Sequence, residues 1–381
     1  MLLFAVTRAP AQAQTQPVEI NAILSITGFN AFVGSAYQQT VKIVEKYVNA
    51  NGGIDGRPVR FVVVDDQSSP QVDIQLVNGL IAQHVPVIIH SGPLASCKAV
   101  EPLILAAGPV LYCLTPAYYP ATGSYAFSTW TATDEGTRAL INYFRERGWK
   151  RLAVITPVEA TGQAADRSLQ EIFARPENRD MQIVDYEHFA QAAINVDAEI
   201  QKIKASQPQA ILTFGTAGPT GTVFRAIKNA GIDLPVGAGS NNQTYAEMTQ
   251  FASFLPRQFY QYSQLWPEYR QLRGGPVKDA MGAMYAAFKA EGIRPDLGAS
   301  ASWDPLLIVV QALRKLGPNA SAQAIRDYIL NLRDYAGING FYDFRVGNQR
   351  GLTIKDVIVV RWEPDKQVWF PVSGSAGSLK P

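Results

Sequence analysis

The sequence predicts an α/β protein built from two doubly wound lobes. Predicted strands and helices alternate regularly up to about residue 120, and the same alternation restarts after residue 134, beyond the segment YAFSTWTAT (125–133). Strands such as FVVV (61–64) are continuous apolar runs, which is typical of a parallel sheet covered on both faces. Two such series of alternating elements predict two open α/β sheets.

The length and composition agree with this architecture. The chain has 381 residues, and single hydrophobic cores stop growing near ~250–300 residues, so two domains are expected. Apolar residues make up 47% of the chain and charged residues 17%, as in globular proteins. The formal net charge is +2, and the basic residues form no stripe, which argues against a nucleic-acid partner.

Residues 1–16 are predicted to be the remains of a secretory signal peptide with its linker. MLLFAV is a short apolar run, and Ala11-Gln12-Ala13 fits a small-x-small cleavage site. The prediction is therefore an exported, periplasmic protein. The alternative is a disordered cytoplasmic tail, because no basic residue precedes the short apolar run.

The first series of elements begins with the strand VEINAILSI (18–26) and a helix whose apolar residues Tyr37, Val41, Val44 and Val48 fall at helical spacing. Its later strands are predicted at 59–66, 86–90 and 110–114, and its later helices at 70–83 and 96–107. Gly52 and Gly53 end the first helix by allowing a left-handed backbone after its last turn. Asp65-Asp66 closes the second strand, and we favour a cap on the next helix over a metal site.

The second series starts with a helix through TRALINYFRERGW. Its strands are predicted at 152–156, 182–186, 210–214 and 235–238, with helices at 163–174, 196–205 and 220–230. After residue 259 the order loosens, with helices at 276–290, 303–316 and 321–333 and strands at 356–361 and 367–371. This tail is too short for a third domain, so we expect it to complete the two lobes.

The chain has two cysteines, Cys97 and Cys113, one near a helix start and one in the next strand. In an exported protein they could form a disulfide. Two inert, buried thiols explain the pattern equally well.

Three segments carry a family resemblance: NANGGIDGRPV with VVVDDQSSP, ITGFNAFVGSAYQQ, and GINGFYDF with NQRG. They resemble the type I periplasmic solute-binding proteins of ABC transporters, in the group of branched-chain amino acid, amide and aromatic acid binders. The resemblance runs over about 18–371. It implies two Rossmann-like lobes joined by a three-crossing hinge, with a ligand clamped between them.

The resemblance also implies where the lobes divide. Lobe 1 would comprise 18–130 plus 263–345, and lobe 2 would comprise 131–262 plus 346–381. The crossings would lie near 127–133, 259–264 and 343–350. A protein of this kind would act as a monomer and deliver its ligand to an ABC transporter permease.

Ligands of α/β sheets bind outside the carboxyl ends of the strands, which selects the segments 29–33, 91–96, 115–119, 157–161, 215–219 and 239–243. Ser96 lies at a predicted helix start, where a hydroxyl and free N–H groups suit a carboxylate, although it could simply cap its own helix. By resemblance, the Thr115-Pro116-Ala117 segment also holds the carboxylate, through Thr115 and the backbone at Ala117. Tyr118 could stack on a ring.

Amino-acid binders of the family carry an acidic residue near Ser240 for the ligand ammonium. This sequence reads GAGSNNQ there, and a buried unpaired ammonium would be costly. Ser240 and Asn241, together with Thr161 and Thr216 where amino-acid binders often have tyrosines, therefore predict a ligand that bears a carboxylate without an ammonium.

Aromatic side chains near the predicted cleft favour an aromatic ligand. Phe32 and Tyr262 are candidates for contact with it, and Trp130 is a weaker candidate because it could pack the hinge instead. His90 ends a strand near the cleft and is also a weaker candidate, since a structural role is the common one.

The sequence lacks the nucleotide-binding, zinc-protease and hydrolase motifs. We therefore expect no enzyme activity, no cofactor and no metal. The predicted function is capture of a small carboxylate, of the benzoate, cinnamate or aryl-keto-acid type, for transport. The alternatives are an amino acid binder of the same family, a ligand sensor, or an enzyme on the same scaffold.

Overall fold

The structure is a computed structural model that describes residues 16–105, 107–216 and 218–380. The predicted signal segment lies almost entirely outside the described residues. Two separate sheets with flanking helices form the two lobes, so the predicted α/β fold class is confirmed.

The first sheet has five parallel strands in the order β2-β1-β3-β4-β5. The strands are β1 (Val18–Leu24), β2 (Val59–Asp65), β3 (Val87–His90), β4 (Val110–Cys113) and β5 (Ala126–Ser128). The connecting helices are α1 (Ala31–Ala50), α2 (Pro70–Ala82) and α3 (Leu94–Ile104).

The second sheet has seven strands in the order β14-β13-β10-β9-β8-β6-β7. Its strands are β6 (Arg151–Pro157), β7 (Gln182–Phe189), β8 (Ala210–Thr213), β9 (Val236–Ala238), β10 (Phe259–Gln264), β13 (Val357–Glu363) and β14 (Val368–Pro371). Strand β13 runs antiparallel to β10 and β14, whereas the others are parallel. The helices are α4 (Thr133–Glu146), α5 (Ala160–Phe173), α6 (Asp197–Ala205), α7 (Gly218–Asn229) and α8 (Tyr245–Phe251).

Three later helices return to the first lobe. They are α9 (Pro276–Ala290), α10 (Leu297–Leu316) and α11 (Ala322–Leu330), followed by the hairpin of β11 (Tyr335–Gly337) and β12 (Gly340–Tyr342). Helix α10 packs along α1, and α11 packs against β4. The chain therefore crosses between the lobes after β5, after β10 and before β13, as the predicted three-crossing hinge requires.

The turn between α1 and β2 depends on glycine. Helix α1 buries Val33, Tyr37, Val41, Val44 and Val48 along one face. After it, Gly52 and Gly53 have φ values of 84° and 62°, and a Cβ on Gly53 would lie 1.9 Å from the carbonyl oxygen of Arg57. A side chain at position 53 is excluded both by backbone strain and by this close approach.

The expectation that Asp65-Asp66 caps α2 is wrong. Ser69 is the N-cap residue of that helix and accepts from the Val72 N–H. The Asp65 carboxylate instead accepts from the N–H groups of Ile26 and Thr27. Burial opposes ionisation of Asp65, but a hydrogen bond from the Thr27 hydroxyl, together with those from backbone N–H groups, lowers its pKa below the usual value. Asp65 therefore fastens the loop after β1.

Candidate ligand-binding cleft

A cavity lies between the two lobes, at the carboxyl ends of both sheets. The space within it amounts to about 690 Å³ when the open solvent at its mouth is included. The first lobe contributes Phe29, Asn30, Val33, Tyr37, Gly92, Pro93, Leu94, Ala95, Leu114 and Thr115. The second lobe contributes Pro157, Glu159, Ala160, Thr161, Gln191, Thr216, Pro219 and Asn241.

Helices from both lobes begin at this cavity. The first helical residues of α3 and α5, Leu94 and Ala160, line it, and so does Pro219 in the first turn of α7. The N-cap residue of α3 is Pro93, which provides no side-chain hydrogen bond. The first N–H groups of α3, at Leu94 and Ala95, precede the helical hydrogen-bond ladder. Together with the helix dipoles, such groups favour a negatively charged ligand.

Among the described residues, Glu159 is the one acidic residue that lines the cavity, and none of these lining residues is Lys, Arg or His. Its Oε1 accepts the backbone N–H of Gln191 at 2.7 Å. Its Oε2 is buried and has no hydrogen-bond partner in the described chain. The carboxylate is thus held in place by one oxygen, whereas the other is paired with no described residue.

Two polar residues of the first lobe complete the wall. Asn30 is buried, and its Nδ2 has no hydrogen-bond partner among residues 16–105, 107–216 and 218–380. Tyr37 is also buried, and its hydroxyl donates to the carbonyl of Leu114 at 2.8 Å. Burial raises the pKa of Tyr37 well above its usual value, so this phenol stays neutral and serves as a fixed donor.

The comparisons with known proteins agree with this architecture. The family model described as periplasmic binding protein matches residues 17–367 of the chain. The chain belongs to this family. No curated protein sequence matches it.

Solved structures similar to this periplasmic binding protein share its fold at low sequence identity. An extracellular ligand-binding receptor from Rhodopseudomonas palustris HaA2 has a TM-score of 0.79 at 18% identity, covering 94% of this chain and 100% of that one. A branched-chain amino acid transporter substrate-binding protein from Streptococcus pneumoniae, in complex with isoleucine, has a TM-score of 0.74 at 19% identity, covering 96% and 98%. A fatty acid ABC transporter substrate-binding protein from Thermomonospora curvata has a TM-score of 0.78 at 15% identity, covering 94% and 92%.

Four residues predicted from the sequence line the cavity of this periplasmic binding protein: Thr115, Thr161, Thr216 and Asn241. They come from both lobes, at the ends of four different strands. The Oγ1 of Thr115 accepts the backbone N–H of Ala117 at 3.4 Å, so its hydroxyl hydrogen remains free to meet an acceptor on a ligand.

Three other predicted residues of the first lobe are buried away from the cavity wall. Ala117 and Tyr118 pack in the core beside Cys97 and Cys113. The Tyr118 hydroxyl donates to Glu101 Oε1 at 2.9 Å, so its ring is fixed and does not face the cavity. Ser96 is buried in the first turn of α3, and its Oγ has no partner in the described chain.

Ser240 and Tyr262 lie in the interior of the second lobe. Both are buried, and neither lines the cavity. The Tyr262 ring packs so closely against Gly136 that a Cβ there would lie 2.5 Å from it. Burial raises the pKa of Tyr262 to about 12.

The remaining aromatic candidates also occupy structural positions. Phe32 is half-buried on α1 and outside the cavity wall, which its neighbours Phe29 and Val33 line instead. Trp130 is buried at the first crossing, where its Nε1 donates to Ser300 Oγ at 2.9 Å. Trp130 therefore packs the hinge, which is the alternative to ligand contact that the sequence left open.

His90 is part of a buried cluster below the cleft. Its Nε2 lies 3.1 Å from Asp73 Oδ1, and its Nδ1 lies 3.7 Å from Cys97 Sγ. Cys97 and Cys113 are joined in a disulfide, which settles the alternative that the sequence left open. Although His90 and the two sulfurs lie within 4.8 Å of one another, the disulfide leaves no thiolate to bind a metal.

Sequence reasoning did not single out Asn30, Tyr37, Glu159 or Gln191. Asn30 and Glu159 fall within the strand-end segments 29–33 and 157–161, so the strand-end rule could have found them. Gln191 follows β7 at the same edge of the second sheet. Tyr37 carries no such signal, because its apolar spacing marks it as a core residue of α1.

None of the described helices is both long and apolar enough to cross a membrane.

Proposed function

We propose that this periplasmic binding protein captures a small carboxylate between its lobes and delivers it to an ABC transporter permease. The observation that carries the proposal is the cavity wall itself. Helix N-termini from both lobes converge there, and the residues of known placement that line it include no Lys, Arg or His. A carboxylate would be held there by N–H groups and hydroxyls, in particular those of Leu94, Ala95 and Thr115. The proposal includes transport, an extracytoplasmic location and a monomeric state. It includes no catalytic step.

An aromatic acid is the ligand class that we propose. Much of the wall is apolar, through Phe29, Val33, Leu94, Leu114 and Pro157. Ligand sites with such a wall favour ligands that combine an apolar body with a few fixed polar contacts. Benzoate, cinnamate-type acids and aryl keto acids combine such a body with one carboxylate.

A second candidate is an amino acid, and Glu159 favours it. The sequence segment 237–243 offers no acid for a ligand ammonium, but Glu159 brings a carboxylate to the cavity from a different strand end. The Streptococcus pneumoniae protein of the same fold is in complex with isoleucine. Its 19% identity is too low to transfer that ligand.

A thermal-shift screen separates the two candidates. The chain would be melted with benzoate, 4-hydroxybenzoate, cinnamate, phenylpyruvate, leucine, isoleucine or valine. A ligand at a hundred times its dissociation constant stabilises the fold by ~2.7 kcal/mol, a shift of a few degrees. Shifts with aromatic acids alone support the proposal, whereas shifts with branched-chain amino acids alone reject the aromatic class.

A pair of variants tests whether a ligand-induced shift in melting temperature arises from binding in the cavity. Thr115→Ala removes a hydroxyl from the cavity wall, and Thr249→Ala removes one from an exposed position on α8. The ligand-induced shift should shrink in the first variant and persist in the second. A shift that is equal in both would place binding elsewhere.

A further inference from the structure

Two polar atoms of opposite character remain without partners in the cavity wall. Asn30 Nδ2, on the first lobe, is a donor, and Glu159 Oε2, on the second lobe, is an acceptor. Both atoms are buried, and neither has a hydrogen-bond partner in the part of the chain that the structure describes. Buried polar groups are normally paired, so an unpaired donor and an unpaired acceptor in one cavity indicate a ligand that satisfies both.

The position of Glu159 is not explained by its structural contact alone. Its hydrogen bond to Gln191, which fixes the loop after β7, uses Oε1 only. Within residues 16–105, 107–216 and 218–380, no Lys, Arg or His lines the cavity to neutralise the carboxylate, and none forms an ion pair with Glu159. A neutral acceptor could hold the Gln191 N–H equally well, so this contact alone does not account for a carboxylate at position 159.

We infer that Glu159 determines ligand specificity by accepting a hydrogen bond from a donor group on the ligand, at the end opposite the carboxylate. The inference rests on the proposed function, because it places the carboxylate at the N-terminus of α3 on the first lobe. Asn30 Nδ2 then meets an acceptor oxygen on the same side. The ligand class becomes an acid with a hydroxyl, amino or ammonium group at its far end, rather than an unsubstituted acid.

The electrostatics of the cavity support this orientation. A carboxylate next to Glu159 would be repelled by a like charge, whereas the α3 N-terminus attracts it. A donor next to Glu159 would instead form a charge-assisted hydrogen bond, the stronger kind. Both effects orient a two-ended ligand in the same direction across the cleft.

Calorimetric titration of two ligands into three proteins tests the inference. The ligands are benzoate and 4-hydroxybenzoate, which differ only in the donor. The proteins are the unsubstituted chain, Glu159→Gln, and Glu171→Gln as the control, since Glu171 lies on α5 with the same charge but at an exposed position. Circular dichroism checks that all three fold.

The unsubstituted chain should bind 4-hydroxybenzoate about tenfold more tightly than benzoate, the ratio expected of a hydrogen bond to a charged group. In Glu159→Gln this ratio should fall by about fivefold, because 4-hydroxybenzoate loses its charge-assisted hydrogen bond. In Glu171→Gln both affinities should stay as they were. If both acids bind and the ratio is the same in all three proteins, the inference is overturned and the proposed function stands.

Leucine serves as the third probe and separates the remaining outcomes. If neither aromatic acid binds, but leucine binds and is weakened about tenfold by Glu159→Gln, the aromatic class is wrong and the role of Glu159 is supported through the ammonium. If leucine binds equally to all three proteins, both proposals fail. Absence of binding by all three probes would also reject both as stated.

Discussion

Tyr37 donates a hydrogen bond of 2.8 Å from its hydroxyl to the carbonyl oxygen of Leu114. The bond joins helix α1 to the end of strand β4, and both residues line the cavity. Because both are buried, neither group could turn to water if the other were lost. This contact therefore fixes part of the first-lobe wall of the cleft by joining elements far apart in the sequence.

Tyr37→Phe should lower the free energy of unfolding by about 1–3 kcal/mol, since it leaves the Leu114 carbonyl buried without its donor. Tyr47→Phe is the matched control: Tyr47 lies on the same helix, packs on Trp303, and its hydroxyl bonds to no described residue. The control should change stability by less than about 0.5 kcal/mol. Urea unfolding measures both, and equal effects would show that the Tyr37 bond adds nothing.

Glu247 should make the fold less stable as pH rises through neutrality. Burial, with a contribution from Asp296, raises its pKa to about 8, against about 4.3 in an unfolded chain. The folded state therefore keeps a proton that the unfolded state releases. The contribution of Glu247 to the free energy of unfolding is therefore greatest below pH ~4 and is lost progressively up to about pH 8.

The free energy of unfolding should fall by roughly 1.4 kcal/mol per pH unit between about pH 6.5 and 7.5. The pKa values of Asp296 and Asp304 are raised by burial to about 6, so most of their effect lies below this window. Glu247→Gln should flatten the slope, whereas Glu171→Gln should leave it unchanged. A slope that survives in Glu247→Gln would mean that another group carries it.

Reduction of the Cys97–Cys113 disulfide should lower the free energy of unfolding by about 3 kcal/mol. The bond closes a short loop, with a sequence separation of 16, and the loop-entropy estimate for that length gives this value. Urea unfolding with and without a phosphine reductant measures it. The double variant Cys97→Ala with Cys113→Ala should not respond to the reductant, and an unresponsive wild-type chain would refute the prediction.

Arg350→Lys should destabilise the hinge. The Arg350 guanidinium is buried and donates to Ser128 Oγ, the Thr129 carbonyl and the Tyr118 carbonyl. Lysine cannot reproduce this fork of donors, so we expect a loss of about 1–3 kcal/mol. Arg345→Lys, at an exposed ion pair with Asp343, should change stability by less than about 0.5 kcal/mol. Similar losses in the two variants would contradict the role of Arg350.

Most of the fold could be predicted from the sequence because its signals are local. Apolar runs such as 61–64 and the glycines at 52 and 53 mark strands and helix ends by themselves. Strand β10 was predicted only as a crossing, although it is a central strand of the second sheet. The hairpin β11–β12 was missed because its strands have three residues each.

Helix α10 is an element whose start could not be predicted from local sequence signals. It begins at Leu297, six residues before the predicted start at 303, because Asp296 accepts from the Gly298 N–H and caps it. The small and polar residues of its first turns are buried against the rest of the lobe. Their pattern has no apolar spacing that would identify a helix.

The site could be predicted only in part, for a physical reason. The rule on strand ends selects the edge of each sheet at which the cavity lies, and Thr115, Thr161, Thr216 and Asn241 line the cavity there. The rule does not determine the direction of a side chain within a loop. The Tyr118 carbonyl, for example, accepts a hydrogen bond from Arg350, which lies 232 residues further along the chain. No local pattern could reveal this contact.

The most direct test of the account is a crystal structure of the protein grown with the tightest binder from the screen. We expect the ligand in the cavity between the lobes, with its carboxylate within hydrogen-bond distance of the Leu94 and Ala95 N–H groups and of Thr115. Its far end should lie at Glu159. A ligand bound outside this cavity, or with its carboxylate turned toward Glu159, would contradict the account.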